Sequence, residues 1–416
     1  MKKIFLMFSF CIFMFASDAT TTIVNEGLNL PKITIQDASN LNDKNLQSQF
    51  FKLILGDLKV GATFDVDNGY YTSSYEGDYS SNLTTTNPSL IVRYELNGDV
   101  YTELALKIKV IDGKSGKVLY ESNFSQKNGA KFPFLAHNAV SEIVKNFGYS
   151  DVDWMNKMLI YAVYTSSANS SIFVSDYTLT YQKEVLSGGL NIFPKWGSKE
   201  QDEFYYTHYV NDVEPVIYKY NLRNVKKTKI LEGSGMLTVS DVSSDGTKLL
   251  ITDAPSDQPD IFLYDLRSRN KTKITNYPGI DVNGNFVDDD TKVVFVSDRL
   301  GYPNVFATDI NGGGIEQMVF HGKNNSSIST SGNYVVYSSR EENRDFNLYL
   351  ISTKTDYIRQ LTAGGKNLFP RFSHDGGTVV FIKDANYQSA VGIIRINENK
   401  SFQFPLKIGK FQSLDW

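Results

Sequence analysis

The sequence predicts a mainly β protein, in which a six-bladed β-propeller closed by its C-terminal strand follows a small α/β domain. A pattern of strand, tight turn and strand recurs, with its turns at Gly246, Asp290, Gly332 and Gly376. Their spacing of about 40 to 45 residues is the length of one four-stranded propeller blade. The N-terminal third lacks this repeat, and the last six residues look like the beginning of one.

Each repeat can be read as four strands. Ser-Asp-Gly at 244–246 and His-Asp-Gly at 374–376 supply the positive φ angles of a hairpin turn, and an apolar run follows each turn. A third strand is predicted about ten residues later, and a polar turn then leads to a fourth. The third strands are predicted at 260–264, 304–308, 347–351 and 391–395, and the fourth at 271–275, 315–318 and 358–362.

The ends of the repeat array predict how the ring closes. A half unit with strands at 159–163, 171–174 and 179–181 lacks an innermost strand. Phe411 to Trp416 ends on an aromatic residue, as do Phe193-Pro194-Lys195-Trp196 and Phe369-Pro370-Arg371-Phe372. We therefore expect the C-terminal strand to complete the first blade, which gives six blades over residues 151–416.

The N-terminus is predicted to be a cleaved export signal over residues 1–19. Lys2 and Lys3 precede an apolar run from Ile4 to Phe15, which is too short to cross a bilayer as a helix. Cleavage after Ala16 or Ala19 fits the small residues there. The single cysteine, Cys11, lies inside the signal, so the mature chain would have neither a disulfide nor thiol chemistry.

Composition limits the class of partner. The chain has 416 residues, 41% of them hydrophobic, and a formal net charge of −4 that becomes more negative without the signal. Nucleic acid is therefore an unexpected partner, because its binding needs a basic surface. The sequence also predicts no direct membrane insertion, because no second long apolar stretch follows the signal.

Residues 20–150 are predicted to form the α/β domain. One helix is expected over 40–60, with Asn40 or Asn42 as its N-cap, and a second over 131–147. Alternating residues at 104–110 and 118–124 predict a hairpin between the helices. The stretch 69–89 is rich in Tyr, Ser, Thr and Asn and is expected to be a long mobile loop.

The order of these parts resembles the TolB family, the periplasmic propeller proteins of the Tol-Pal envelope system. The helix Leu135 to Val144, with Ala136-His137, is similar to a helix of that family, and Asp153 to Tyr164 is similar to its entry into the first blade. Ser297 to Gly301 and Asn311 to Gln317 resemble its blade loops. This chain departs from the family's Pro-x-Phe-Ser-Pro-Asp-Gly unit, which is partly intact at Pro370 and lacks the proline before the strand at Ser240, Gly284 and Ser326.

The resemblance implies two protein partners, the peptidoglycan-associated lipoprotein Pal and the C-terminal domain of TolA. Pal is expected over one mouth of the propeller, on loops that lead into the innermost strands. These positions are Asn191, Ile192, Phe193, Met236, Leu237, Val239, Asp281, Val282, Asn324, Asn325, Leu368 and Phe369. TolA is expected on the N-terminal segment of Thr20, Thr21, Thr22, Ile23, Val24, Asn25 and Glu26, which is β-prone and could add to a sheet edge.

The residues themselves give no support for catalysis or a cofactor. No Gly-x-Ser-x-Gly is present, and the four histidines form no metal-binding pair; His137 is expected to pack against the sheet. The acidic run from Asp281 has Phe286 and Lys292 where a calcium loop needs glycine and glutamate, so it is predicted to be a solvated turn. Gly312 to Gly314 lacks the residues of a phosphate loop.

The resemblance, together with these observations, implies a monomeric, non-enzymatic periplasmic adaptor without a cofactor, supporting outer-membrane integrity and cell division. Two alternatives stay open. A propeller-type periplasmic hydrolase or lyase would need a cluster of Asp, His or Arg residues at one mouth. A small-ligand sensor would need a deep polar pocket in the channel.

Overall fold

The computed structural model describes residues 30–77, 87–148, 151–211, 214–340, 345–385, 388–407 and 409–416. Within these ranges the chain is mainly β, a β-propeller with a small N-terminal domain. The expected signal 1–19 and the segment Thr20 to Glu26 lie outside the described residues. In the described ranges, no helix has the length and apolar content that a membrane span requires.

The small domain is a six-stranded sheet packed against two helices. The sheet has the order β2-β1-β4-β5-β6, and β3 also pairs with β1. Strand β1 runs parallel to β2, β3 and β4, and the other pairs are antiparallel. The elements are β1 (Lys32–Asp37), α1 (Lys44–Gly61), β2 (Asp65–Val66), β3 (Tyr71–Thr72), β4 (Leu90–Gly98), β5 (Leu104–Asp112), β6 (Val118–Gln126) and α2 (Phe132–Phe147).

Both helices and the hairpin β5–β6 occur where the sequence predicts them, but the first cap differs. Asp43, not Asn40 or Asn42, is the N-cap of α1, and its Oδ1 accepts from the backbone N–H of Asn45 and Leu46 at 3.0 Å. Asp43 directly precedes the first turn of the helix, whose backbone N–H groups have no partner within the helix. Its carboxylate can therefore accept hydrogen bonds from them. The helix ends at Ala62, whose φ of 58° is left-handed.

The described part of the stretch 69–89 is tied to the sheet, which corrects the expectation of a free loop there. Tyr71–Thr72 pairs with β1, and Tyr75 is buried. The hydroxyl of Tyr75 donates to Glu121 at 3.0 Å, and the buried guanidinium of Arg93 donates to the carbonyl of Tyr75 at 3.1 Å. Residues 78–86 lie outside the described ranges.

The rest of the chain is a succession of antiparallel strands linked by short turns. They are β7 (Leu159–Ser166), β8 (Asn169–Ser175), β9 (Gln182–Leu186), β10 (Leu190–Trp196), β11 (Glu203–Val210), β12 (Glu214–Asn221), β13 (Lys226–Glu232), β14 (Leu237–Val242), β15 (Lys248–Asp253), β16 (Asp260–Asp265), β17 (Lys271–Lys273), β18 (Asp281–Val287), β19 (Lys292–Ser297), β20 (Asn304–Asp309), β21 (Glu316–Gln317), β22 (Asn324–Ser331), β23 (Tyr334–Arg340), β24 (Phe346–Ser352), β25 (Ile358–Gln360), β26 (Lys366–Phe372), β27 (Thr378–Asp384), β28 (Ser389–Arg395), β29 (Lys400–Pro405) and β30 (Lys410–Asp415).

These strands pair mostly in sets of four. The sets β10–β13, β14–β17 and β18–β21 are separate sheets, and β22–β29 form one sheet in which a single pair, Phe346 with Lys366, joins β24 to β26. Strand β30 pairs antiparallel with β7 in a fourth set of order β30-β7-β8-β9. The turn positions predicted to need positive φ have it, at 70°, 61°, 57° and 71° for Gly246, Asp290, Gly332 and Gly376.

One predicted strand is wrong. Residues 179–181 form a turn, and the strand β9 begins only at Gln182. Leu179 has a φ of 59°, and the buried carboxylate of Asp176 accepts from the backbone N–H of Thr178 and Tyr181 at 2.9 and 2.6 Å. A side-chain acceptor at Asp176 thus folds the backbone into a tight turn, against the strand preference of the Leu-Thr-Tyr sequence.

Candidate functional site

A β-bulge recurs in six strands of the propeller, and the bulges define the candidate site. The register shifts between Ile192 and Lys195 in β10, and equivalent shifts occur in β14, β18, β22, β26 and β30. In four of these strands the bulge contains a non-glycine residue with φ between 51° and 56°, namely Phe193, Asn283, Ser327 and Phe369. A bulge re-aims its side chains, and such conformations collect at functional sites.

The bulged strands surround one cavity of about 260 Å³. Each of β10, β14, β18, β22, β26 and β30 contributes to its wall, so residues more than 200 positions apart in sequence meet there. The lining residues are Phe193, Pro194, Lys195, Met236, Thr238, Val239, Ser240, Val282, Asn283, Val296, Ser326, Ser327, Phe369, Arg371, Ser413 and Leu414. We call this space the channel cavity.

Five of the twelve positions expected at the propeller mouth line the channel cavity. They are Phe193, Met236, Val239, Val282 and Phe369. Their apolar side chains come from four different strands or the turns before them. The spacing of the repeats alone predicts that these equivalent positions come together. Asn324 in β22 and Leu368 in β26 are half-buried but do not line the cavity.

The remaining five expected positions are buried, which corrects their placement on an exposed docking surface. Ile192 is 8% exposed, and Leu237 belongs to an apolar cluster of the core. The other three are buried polar residues that make hydrogen bonds or ion pairs with nearby turns, namely Asn191, Asp281 and Asn325. Asn191 donates to the carbonyl of Gly188 at 2.9 Å, and Asn325 to that of His321 at 2.8 Å. Asp281 binds Arg299 Nη2 through both oxygens at 3.0 Å. The repeat predicts where these residues lie along the chain. Whether their side chains point into the core or outward depends on the alternation of side chains along the pleated strand.

Two cations in the cavity wall were missed by the sequence analysis. Lys195 and Arg371 follow Phe193-Pro194 and Phe369-Pro370, so they occupy the same position in two copies of one motif. Their Nζ and Nε atoms lie 3.0 and 3.2 Å from the same oxygen, Oδ1 of Asp415. The signal that could have found them is that repeated cationic position after Phe-Pro.

The carboxylates that hold these cations also join neighbouring strands. Asp415, only 2% exposed, accepts from the backbone N–H of Trp196 at 2.9 Å. Asp241 contacts Lys195 at 3.3 Å and accepts from the N–H of Phe286 at 2.9 Å. Each carboxylate therefore satisfies a backbone donor in the next set of strands, and this fixes the bulges relative to one another.

The acidic run from Asp281 to Asp290 was predicted to be a solvated turn, which is wrong for its first seven residues, since Asp281–Val287 form the largely buried strand β18. The turn itself, at 288–290, connects neighbouring sets. Asp290 accepts from the backbone N–H of Ser244 at 2.8 Å, and Asp288 lies 3.0 Å from Lys354. Within the described ranges, no group of three or more His, Cys, Asp and Glu side chains has an arrangement that could hold a metal ion.

The four histidines lie in separate places. His374 is exposed in a turn, His208 Nδ1 lies 2.9 Å from Asn191 Oδ1, and His321 Nε2 lies 2.5 Å from the hydroxyl of Tyr337. His137 does not pack against the sheet as predicted. It is buried between the carboxylates of Asp57 and Asp176, where its two ring nitrogens can both be hydrogen-bonded.

Comparison with known proteins gives a consistent result. Residues 156–416 match the family model described as TolB beta propeller domain. The chain is 51% identical to the Tol-Pal system protein TolB of Campylobacter jejuni strain RM1221, with 100% of both chains covered. It is 43% identical to the protein of the same name from Wolinella succinogenes, with 97% of each covered.

The fold is similar to a solved structure as well. The crystal structure of TolB from Acinetobacter baumannii superposes with a TM-score of 0.76, covering 93% of this chain and 96% of that one. The two are only 19% identical in sequence, so this likeness shows the shared fold alone.

Proposed function

The chain belongs to the TolB family, and from this premise we propose that it is a non-enzymatic periplasmic adaptor of the Tol-Pal system. In this role it binds the lipoprotein Pal and the C-terminal domain of TolA, and so supports outer-membrane integrity and cell division. The observation that carries the proposal is the channel cavity, where Phe193, Met236, Val282 and Phe369 come together from four strands or the turns before them. Relatives at 51% and 43% identity bear the name Tol-Pal system protein TolB.

The proposal includes a closed ring of six blades. The eight-stranded sheet counts as two blades, β22–β25 and β26–β29, since one residue pair joins them. The C-terminal strand β30 then closes the ring by completing the blade of β7, β8 and β9. The domain boundaries proposed with it are a signal at 1–19, an α/β domain at 20–150 and the propeller at 151–416.

Pal is proposed to dock over the mouth of the channel cavity. Apolar side chains surrounded by polar ones suit a protein interface, in which a few central residues supply most of the affinity. The proposed docking residues are those expected positions that the structure leaves half-buried or lining the cavity: Phe193, Met236, Val239, Val282, Asn324, Leu368 and Phe369.

TolA is proposed to bind the segment Thr20 to Glu26 by strand addition. This segment is rich in β-branched residues, and an extended peptide of that kind gains main-chain hydrogen bonds at a sheet edge. A chain that lacks residues 20–26 is expected to lose TolA and keep Pal. Loss of both would contradict a separate TolA segment.

The test of the Pal site is a binding titration with the soluble domain of Pal. Met236→Asp and Val282→Asp each place a carboxylate on the apolar wall, and we expect Pal affinity to fall by at least about tenfold. Val225→Asp is the matched control, because Val225 is 68% exposed on the turn between β12 and β13 and lies outside the cavity. Equal binding by all variants would place Pal elsewhere, and no binding by the wild type would overturn the adaptor.

The proposed chain is a monomer that carries no cofactor, and nucleic acid and membrane insertion are outside its role. Size-exclusion chromatography with light scattering tests the oligomeric state directly. A dimer mass measured on the purified, folded protein at micromolar concentration would contradict the proposed monomer.

A further inference from the structure

The channel cavity combines an apolar wall with a charge of one sign. Among its lining residues in the described part of the chain, the charged side chains are Lys195 and Arg371, and both are cations. Their carboxylate partners, Asp241 and Asp415, are not among the lining residues; the side chain of Asp241 is 17% exposed and that of Asp415 is 3% exposed. The charged groups that line the space are therefore cations.

The two cations are held in position rather than left to move freely. Lys195 is fixed from two sides, by Asp415 at 3.0 Å and Asp241 at 3.3 Å, and its side chain is only 15% exposed. Arg371 donates from Nη1 to the carbonyls of Ile328 and Pro370 at 3.0 and 2.9 Å, and it is 13% exposed. Because both reach one oxygen of Asp415, the two cationic groups lie side by side.

Such an arrangement suits a carboxylate. The Arg371 contacts use Nε and Nη1, and a guanidinium carries further N–H donors on Nη2. A charge-assisted hydrogen bond in a space shielded from water is stronger than one at a surface. Ser326 and Ser327 also line the cavity, and a serine hydroxyl can donate to an anion.

We propose that the channel cavity receives an acidic side chain, Asp or Glu, of the protein that docks over its mouth, between Lys195 and Arg371. The inference rests on the proposed function, because the protein that docks over the mouth is Pal. Charge complementarity carries it: the apolar side chains of Phe193, Met236 and Phe369 line the same cavity as the two cations, so the occupant is an acidic residue flanked by apolar ones. A basic occupant would meet two like charges and is disfavoured.

The first test measures the dissociation rate of the soluble domain of Pal from the full mature chain. The variants are Arg371→Gln and the pair Lys195→Gln with Asp241→Asn, each of which leaves Asp415 with one cation. We expect dissociation to accelerate at least about tenfold in both, with little change in the association rate, because truncating an enclosed charge pair acts mainly on dissociation. Lys219→Gln, whose partner is Glu203 at 3.1 Å outside the cavity, is the matched control and should change nothing.

The second test identifies the acidic residue. Each Asp and Glu of Pal is changed to Asn or Gln, and one of these variants is expected to lose its additional effect when combined with Arg371→Gln, as a double-mutant cycle requires of a direct contact. Thermal unfolding confirms that each variant is folded, and Lys195→Arg, which keeps the charge, is expected to retain the slow dissociation.

The outcomes separate the inference from the proposed function. If the wild type binds Pal and the two channel variants dissociate at the wild-type rate, the inference fails and the adaptor stands. Faster dissociation without any coupled acidic residue on Pal also overturns the inference, because it leaves the cations with only a structural role. If the wild type does not bind Pal, the adaptor fails and the inference falls with it.

Discussion

At the scale of single residues, His137 is a fully buried group held between two carboxylates. Its ring lies on α2, Nδ1 is 2.8 Å from Asp57 on α1, and Nε2 is 3.3 Å from Asp176 after β8. Both acceptors are carboxylates, so both nitrogens must carry protons to satisfy them. Tyr177 donates to the other oxygen of Asp57. A buried, hydrogen-bonded charge cluster thus joins the small domain to the propeller.

This cluster predicts a dependence of stability on pH. Burial lowers the pKa of His137, but the charge of Asp57 and hydrogen bonds to Asp176 and Asp57 outweigh it and raise the pKa from 6.5 to about 9. Because the folded pKa exceeds the unfolded one, the stabilisation is complete below pH 6.5 and is lost as the pH rises through 9. We expect the free energy of unfolding to fall by about 3 kcal/mol across this window.

Urea unfolding at a series of pH values measures this effect. His137→Gln is the comparison, because it keeps a polar side chain and removes the titrating group. The difference between wild type and variant isolates the histidine from other groups that titrate in the same range. A difference that stays constant from pH 6.5 to 9 would show that His137 is not charged in the folded protein.

At the scale of secondary-structure elements, turns and bulges decide where the strands end and what they face. Glycine takes the left-handed conformation without steric cost, whereas a β-branched residue adopts it rarely. Val225, in the turn between β12 and β13, has a φ of 56° and is 68% exposed. No packing gain at such an exposed position offsets the backbone strain, so this turn is locally unfavourable.

Val225→Gly is therefore expected to stabilise the protein by about 1 kcal/mol, because glycine removes the left-handed strain. The matched control is Val118→Gly, since Val118 is 43% exposed in strand β6 and has an ordinary extended backbone. There the same change should destabilise the protein by up to about 1 kcal/mol. The midpoints of thermal unfolding of both variants are compared with that of the wild type. A lower midpoint for Val225→Gly would refute the argument that this turn is strained.

At the scale of the whole molecule, the C-terminus is part of both the core and the candidate site. Strand β30 pairs with β7 over Lys410 to Asp415, and Phe411 and Leu414 belong to the largest apolar cluster. The ring of Trp416 lies 5.2 Å from that of Trp154, which in turn lies 5.3 Å from Tyr177 beside the His137 cluster. The last strand thus connects the channel cavity to the joint between the domains.

A chain that ends at Gly409 is expected to lose cooperative folding. Burying each of Phe411, Leu414 and Trp416 contributes about 1.5 to 3 kcal/mol, and the sum is a large share of the usual 5 to 15 kcal/mol of a folded protein. The truncation also leaves β7 as an open edge prone to aggregation. Lys410→Gln is the control, because Lys410 is 60% exposed and its surface ion pair contributes little. An unchanged midpoint for the truncated chain would contradict the role of β30.

The sequence by itself determined the repeat, the turns and the family. Periodic Asp-Gly turns, alternating strands and two amphipathic helices depend on local preferences, which act between residues close in the chain. This is why the turn positions and nearly all strands occur where the repeat predicts them. It also explains why the positions of Phe193, Met236, Val282 and Phe369 could be found by their offset within a repeat.

The tertiary structure alone decided which of these residues face the cavity and what lies beside them. Asn191, Asp281 and Asn325 turn inward because the pleat alternates side chains and the turns need internal hydrogen bonds. The contact of Lys195 and Arg371 with Asp415, and of His137 with Asp57 and Asp176, joins residues far apart in sequence. No local preference encodes such pairs, because they exist only once the strands have assembled.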